Sequence, residues 1–305
     1  MTRKTDDGAG TGRPGPTTPR MHLPLWLVMG LCLIPAFGSR ACTVFADSQD
    51  GTVLAGRNWD MTDCQPVMWL VPAQGDTYGR ICFGRHNDCE DGMNDQGLFV
   101  AVAAAPASGR FKSPEGPIWH PVALDLVLAH CATVDEAIAW WEKHPNPGIT
   151  STITRQSFLG IHYGNTYVNR GVGGHVLIAD KSGQSVVCEW IKGKFTVIRK
   201  TGRYQLITNF LLARPNLGNT PCFRFAAVTK VLDQAGGPST DACARALKAA
   251  ATEFTRYSLV CDLARGDIQV CCSRRFNDRK LIHLNEELQK GAHEVALYSW
   301  FESGP

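Results

Sequence analysis

The pattern of hydrophobic and polar positions changes character near residue 41. Upstream, residues 23–37 are uncharged and largely apolar, interrupted by Pro24 and Pro35. That run is too short and too broken to span a bilayer, but it fits the apolar core of a secretory signal. Residues 1–20 form a Gly/Pro/Thr tract with scattered charge and are expected to be disordered, with Met21 as an alternative start. Downstream, strand-like runs at 42–47 and 52–57 flank Ser48-Gln49-Asp50-Gly51, a hairpin signal. A strand is predicted at 68–72, then a Gly-rich connection. Residues 98–104 are continuously apolar, as in a strand buried on both faces.

Helical spacing follows over 121–130. Thr133-Val134-Asp135-Glu136 is a capping-box pattern that opens a second helix through Trp140 and Trp141, stopped by Pro145-Asn146-Pro147-Gly148. A meander is predicted at 175–180, 185–190, 195–199 and 205–208, with turns at Lys181-Ser182-Gly183 and Lys192-Gly193. Helices at 223–234 and 241–254 precede strands at 257–262 and 267–272. Strands, helices, strands, helices and strands in that order imply a layered α+β domain. The organisation read here is a removable leader, 1–41, and one catalytic domain, 42–305.

Charge narrows the partners. Once the leader's five Lys/Arg and two Asp are set aside, basic and acidic residues balance. A neutral body lacks the basic stripe that a nucleic-acid partner would require. Of the twelve cysteines, Cys32 lies in the leader. The spacing of the others assigns no pairs and contains no CxxC that would suggest zinc.

Cys42 carries the distinctive chemistry. It follows Ser39-Arg40-Ala41, which reads as a cleavage site. Cleavage there would expose an α-amine, with an ordinary pKa of about 7.7–8.0, beside the thiol whose proton it can accept. Such a cysteine needs no histidine base, so His175, just before an apolar strand, reads as structural. No Gly-x-Ser-x-Gly elbow supports a serine triad. The rival for Cys42 is lipidation, but a lipoprotein signal prefers Leu three residues upstream, where Ser39 stands.

Four segments extend the reading. They are Cys42-Thr43-Val44-Phe45 with Gly56-Arg57-Asn58-Trp59-Asp60; Asp91-Gly92-Met93-Asn94-Asp95-Gln96-Gly97-Leu98; Ala179-Asp180-Lys181-Ser182-Gly183 with Glu189-Trp190 and Thr208-Asn209-Phe210; and Arg224-Phe225 with Tyr257-Ser258-Leu259-Val260-Cys261-Asp262. In this order they resemble the linear-amide C–N hydrolases of the N-terminal-nucleophile superfamily, the family of penicillin V acylases and choloylglycine (bile salt) hydrolases. The resemblance implies a four-layer αββα sandwich with two antiparallel sheets. It implies Cys42 as nucleophile, Arg57 beside the thiol favouring thiolate, and Asp60 orienting the amine or thiol. Asn94 and Asn209 would build an oxyanion hole, by a backbone N–H and a side-chain amide, with Arg224 as a second arginine.

The chain departs from that pattern in two places. The stretch from Cys42 to Asn94 is shorter than in bile salt hydrolases. Trp59 stands where the family carries a smaller aliphatic residue or Met, and is a candidate for the pocket wall. The expected function is hydrolysis of a small N-acyl amide through a thioester, without a cofactor, by a protein exported after signal cleavage. An acyltransferase of the same fold and a lipidated envelope protein that binds acylated ligands are the alternatives. The sequence leaves self-association open.

Overall fold

Successive side chains of a strand point to opposite faces, and this alternation sorts the chain into stacked cores. The computed structural model describes residues 41–302 except 63, 87, 109–120, 145–152, 159–160, 168–172 and 219. One sheet has six strands. β1 (Ala41–Gln49) lies between β12 (Tyr204–Ile207) and β2 (Thr52–Asp60); β15 (Thr255–Asp262), β16 (Asp267–Cys272) and β17 (Arg279–His283) follow outward from β2. The other has eight, in the order β11 (Lys194–Arg199), β10 (Ser185–Ile191), β9 (Gly174–Asp180), β6 (Leu98–Ala104), β5 (Asp88–Asn94), β4 (Arg80–Arg85), β3 (Val67–Val71) and β18 (His293–Ala296). Neighbours in both sheets run antiparallel. Two small pairs, β7 (Ile153–Phe158) with β8 (Ile161–Tyr167) and β13 (Phe210–Leu211) with β14 (Arg214–Gly218), stand apart from them.

Six helices complete the description: α1 (Pro121–His130), α2 (Val134–Lys143), α3 (Phe223–Gln234), α4 (Thr240–Ala250), α5 (Leu284–Leu288) and α6 (Leu297–Glu302). Phe99, Ala101 and Ala103 of β6 join Val44, Ala55 and Leu259 in the central core between the sheets. Leu98, Val100 and Val102 face the other way, onto Leu124, Leu128 and Trp141 of α1 and α2. Phe45 and Leu54 of the six-stranded sheet pack outward onto Val228 and Leu247 of α3 and α4. The layers are therefore helix, sheet, sheet, helix, the αββα sandwich expected.

Local chemistry accounts for the joints. Asp50 and Gly51 close the β1–β2 hairpin with φ of 51° and 80°, and Lys192 and Gly193 close β10–β11 with 52° and 77°. Two positive φ values in a two-residue loop suit the twist of antiparallel strands. Thr133 caps α2 by accepting from the Glu136 N–H at 3.2 Å. Gly56 lies opposite Phe45, where any Cβ would sit 2.3 Å from that ring.

The structure corrects one element. The stretch expected as a Gly-rich connection holds β4 and β5, two inner strands of the larger sheet. The eleven described cysteines are all free thiols.

Candidate active site

Cys42 is the second residue of β1, 3 % exposed, and its side chain belongs to the core between the sheets. Two distant residues meet its backbone. The Cys42 N–H donates to Asn209 Oδ1 at 3.2 Å, and Arg224 Nη1 donates to the Cys42 carbonyl oxygen at 2.6 Å. Arg224 Nη2 also donates to Asn209 Oδ1, while Asn209 Nδ2 donates to the Ala104 carbonyl at 2.7 Å. Asn209 follows β12, the strand paired with β1, and Arg224 is the second residue of α3, whose start therefore faces the start of β1.

Asp60 ends β2 and is fully buried. Its Oδ1 accepts from Thr255 Oγ1 at 2.5 Å, and its Oδ2 faces Arg224 Nη1 at 3.8 Å. The backbone N–H of Asp60 beside the Cys42 sulfur works in favour of its thiolate. Burial raises the Asp60 carboxyl to about 6, against the lowering pull of Thr255, Arg224 and Arg57.

Arg57 points from β2 into the same interior and is fully buried. Its Nε lies 2.5 Å from Asp91 Oδ2, and its Nη1 donates to the Val102 carbonyl. Tyr257 Oη also donates to Asp91 Oδ2, at 2.7 Å, and Glu90 stands 4.0 Å from Arg57 Nη2. Desolvation, offset in part by Arg57 and Tyr257, lifts Asp91 to about 6. The positive charge of Arg57 draws the Cys42 thiol downward, but burial outweighs it, with Asp60 and Glu90 adding to the rise. The net direction is upward. Arg57 is therefore first the counter-ion of Asp91 and only second a stabiliser of thiolate.

The structure thus gathers Cys42, Arg57, Asp60, Asn209 and Arg224, and excludes Asn94. The Asn94 side chain is committed to the β5–β6 turn and to α1. Its Oδ1 accepts from Gln96 and Leu98 N–H at 3.1 and 3.0 Å, and its Nδ2 donates to the Leu128 and Cys131 carbonyls at 2.8 and 2.7 Å. Its partner Leu98 starts β6, whereas Asn209 bonds Ala104 at the other end of that strand. Six steps of about 3.3 Å separate those ends by about 20 Å. The backbone of Asn94 is placed with Leu98, so an oxyanion role for it is ruled out by position. Trp59 also moves: it is fully buried and stacks on Tyr257 with centroids 5.1 Å apart. It pairs across the strands with Cys42, but as core rather than as an open pocket wall.

Sequence reasoning missed Asp91 and Tyr257, although both lie in the motifs quoted for other residues. It also missed Thr255, and the carbonyls of Val102 and Ala104, which no side-chain pattern can announce. A cleft of about 280 Å³, bordered by Gly51, Ser239, Asp262 and Arg265, opens at the β1–β2 turn. It lies at the opposite end of β1 from Cys42.

Comparison with known proteins bears on the fold and the family. Residues 47–235 match the model of the acyl-coenzyme A:6-aminopenicillanic acid acyl-transferase family. The chain belongs to that family. The match takes in Arg57, Asp60, Asn209 and Arg224 and begins after Cys42. Among solved structures, the penicillin V acylase of Agrobacterium tumefaciens is similar with a TM-score of 0.59 at 19% identity, covering 84% of this chain and 91% of that one. A variant of the conjugated bile acid hydrolase from Clostridium perfringens is similar with a TM-score of 0.56 at 18% identity, covering 83% and 95%. At such identity they establish the fold, that of the N-terminal-nucleophile hydrolases. No curated protein matches the sequence. Among the described residues, no helix of this family member is long and apolar enough to cross a membrane.

Proposed function

We propose that this protein cleaves the C–N amide bond of a small N-acylated substrate with Cys42 as nucleophile. The observation that carries the reading is the convergence of Asn209 and Arg224 on Cys42 from 167 and 182 positions away. Fold and family membership support it. Removal of residues 1–41 on export turns the Cys42 N–H, now held by Asn209, into an amine. The amine takes the thiol proton, and the sulfur attacks the amide carbonyl carbon. Negative charge collects on the former carbonyl oxygen, and Asn209 is the residue best placed to answer it. The C–N bond breaks, the leaving nitrogen takes the proton from the α-ammonium, and a thioester remains. Water then attacks that thioester, giving a proton to the amine, and the carboxylic acid leaves as the thiol reforms. Arg224 and Asp60 hold the geometry throughout, and Arg57 fixes the charge of the interior.

The description of the matched family favours one second reading, acyl transfer, in which an amine replaces water in the last step. Both readings share the thioester. A panel of penicillin V, a glycine-conjugated bile acid and an N-acyl homoserine lactone, each with and without an added amine, tests them together. Cys42→Ala should abolish turnover of whichever amide is cleaved, and the mature chain should begin at Cys42 by mass spectrometry. Near-normal turnover by the alanine variant removes Cys42 from the chemistry.

A further inference from the structure

His175 and Glu189 form a fully buried pair outside the residues assigned to chemistry. They sit on adjacent strands β9 and β10, one step beyond the Val176–Cys188 pair. His175 Nε2 lies 2.8 Å from the carbonyl oxygen of Thr208, and its Nδ1 lies 3.0 Å from Glu189 Oε1. A carbonyl oxygen only accepts, so Nε2 must carry a hydrogen. The Glu189 oxygens are acceptors as well. Oε1 takes the Leu212 N–H at 2.6 Å and Oε2 takes the Ala213 N–H at 3.0 Å. Each oxygen of the Glu189 carboxyl group thus accepts from a backbone donor of its own. With both carboxylate oxygens taken up as acceptors, Nδ1 is placed to donate to Oε1.

We propose that His175 is a buried imidazolium paired with Glu189, and that the pair is the positioning device for Asn209. Its contacts bracket one short segment. His175 holds Thr208 on one side of Asn209, and Glu189 holds Leu212 and Ala213 on the other. Between those anchors, Asn209 reaches Cys42, Arg224 and Ala104. Neither His175 nor Glu189 touches the reacting atoms; both act through the backbone that carries Asn209. Misplacing a catalytic group by about 1 Å costs about 10²-fold in rate, so loss of the bracket should be read in kcat.

This inference rests on the assignment of Cys42 as nucleophile, and its test separates the two. His175→Phe keeps a ring but removes both donors, and His175→Gln retains a donor near the Nε2 position. On the best amide of the panel above, kcat of the folded Phe variant should fall about 10²-fold with KM within a few-fold. Gln should restore at least a tenth of the lost rate. A folded Phe variant with unchanged kcat overturns the positioning role, because a merely structural residue would lower the melting temperature alone. Long-range ¹⁵N–¹H correlation on the labelled wild-type chain, with His175 assigned through Thr208 and Glu189, should show both ring nitrogens protonated. A singly protonated ring overturns the proposal even if no variant folds. If Cys42→Ala still turns over substrate, the nucleophile assignment fails, while the ring-proton result stands independently of turnover.

Discussion

Arg224 Nη1 donates to the carbonyl oxygen of Cys42 at 2.6 Å, and the same guanidinium reaches Asn209 Oδ1 and faces Asp60. One planar group thus ties the candidate nucleophile to two of its neighbours. Lysine presents a single point charge and cannot reproduce that fork. Arg224→Lys should therefore lose about 10²-fold or more in kcat, in line with losing a preorganised donor from a site of this kind. Steady-state kinetics beside a circular dichroism spectrum would check it; a loss of less than threefold would make the contact incidental.

Asp60 gives a pH signature. Its carboxyl is raised to about 6 in the folded protein, chiefly by burial, against about 3.9 unfolded. The folded state holds its proton more tightly. The resulting stability is fully present below about pH 4 and is lost as pH rises through about 6. The change is on the order of 3 kcal/mol. Urea unfolding of wild type and Asp60→Asn from pH 4 to 7 should show the variant gaining on wild type across that window. A constant gap between the two curves would contradict the assignment.

Gly56 is a packing requirement. A methyl group there would overlap the Phe45 ring, which fills the core under α3 and α4. Gly56→Ala should cost about 1–3 kcal/mol of stability through overpacking. Gly56→Ala combined with Phe45→Leu should recover part of it, since the smaller side chain vacates the space. Melting curves of the single and double variants decide this.

Trp59 should behave as a core residue. Trp59→Ala should destabilise by about 3–5 kcal/mol, removing the stack on Tyr257. A Trp59→Leu variant should keep the order of preference among acyl chains of different length. A reordered preference in a folded Leu variant would return Trp59 to the substrate wall.

The strands that alternate or run apolar, β1, β2, β6, β9, β10 and β15, were legible because their pattern follows directly from burial. β4 and β5 were not. Glu90, Asp91 and the glycines of that stretch read as loop, yet Asp91 and Glu90 are buried as the counter-charges of Arg57. Local pattern fails where polar residues are placed inside to serve a site. Asp91 and Asn94 stand in one motif on β5, and the strand turns them to different surroundings, Asp91 to Arg57 and Tyr257 and Asn94 to the turn and α1. Cys42 was legible from its place after a candidate cleavage site, and Arg57, Asp60, Asn209 and Arg224 from the resemblance to the linear-amide hydrolases. Their mutual distances, and the help from Ala104, Val102 and Thr255, come only from pairing between strands far apart in sequence.

That pairing sets when the protein can become reactive. β1 is flanked by β12, and β2 by β15, so the first hairpin gains both its neighbours only once residue 262 has been made. Arg224 and Thr255, which complete the surroundings of Cys42 and Asp60, arrive equally late on a growing chain. Pairings so remote in sequence form slowly and only after long loops close. A nascent chain still short of β15 therefore carries Cys42 on a hairpin that lacks the outer strands of its sheet and lacks Thr255 beside Asp60. A chain truncated before residue 255 should fold into neither the sheet nor the site.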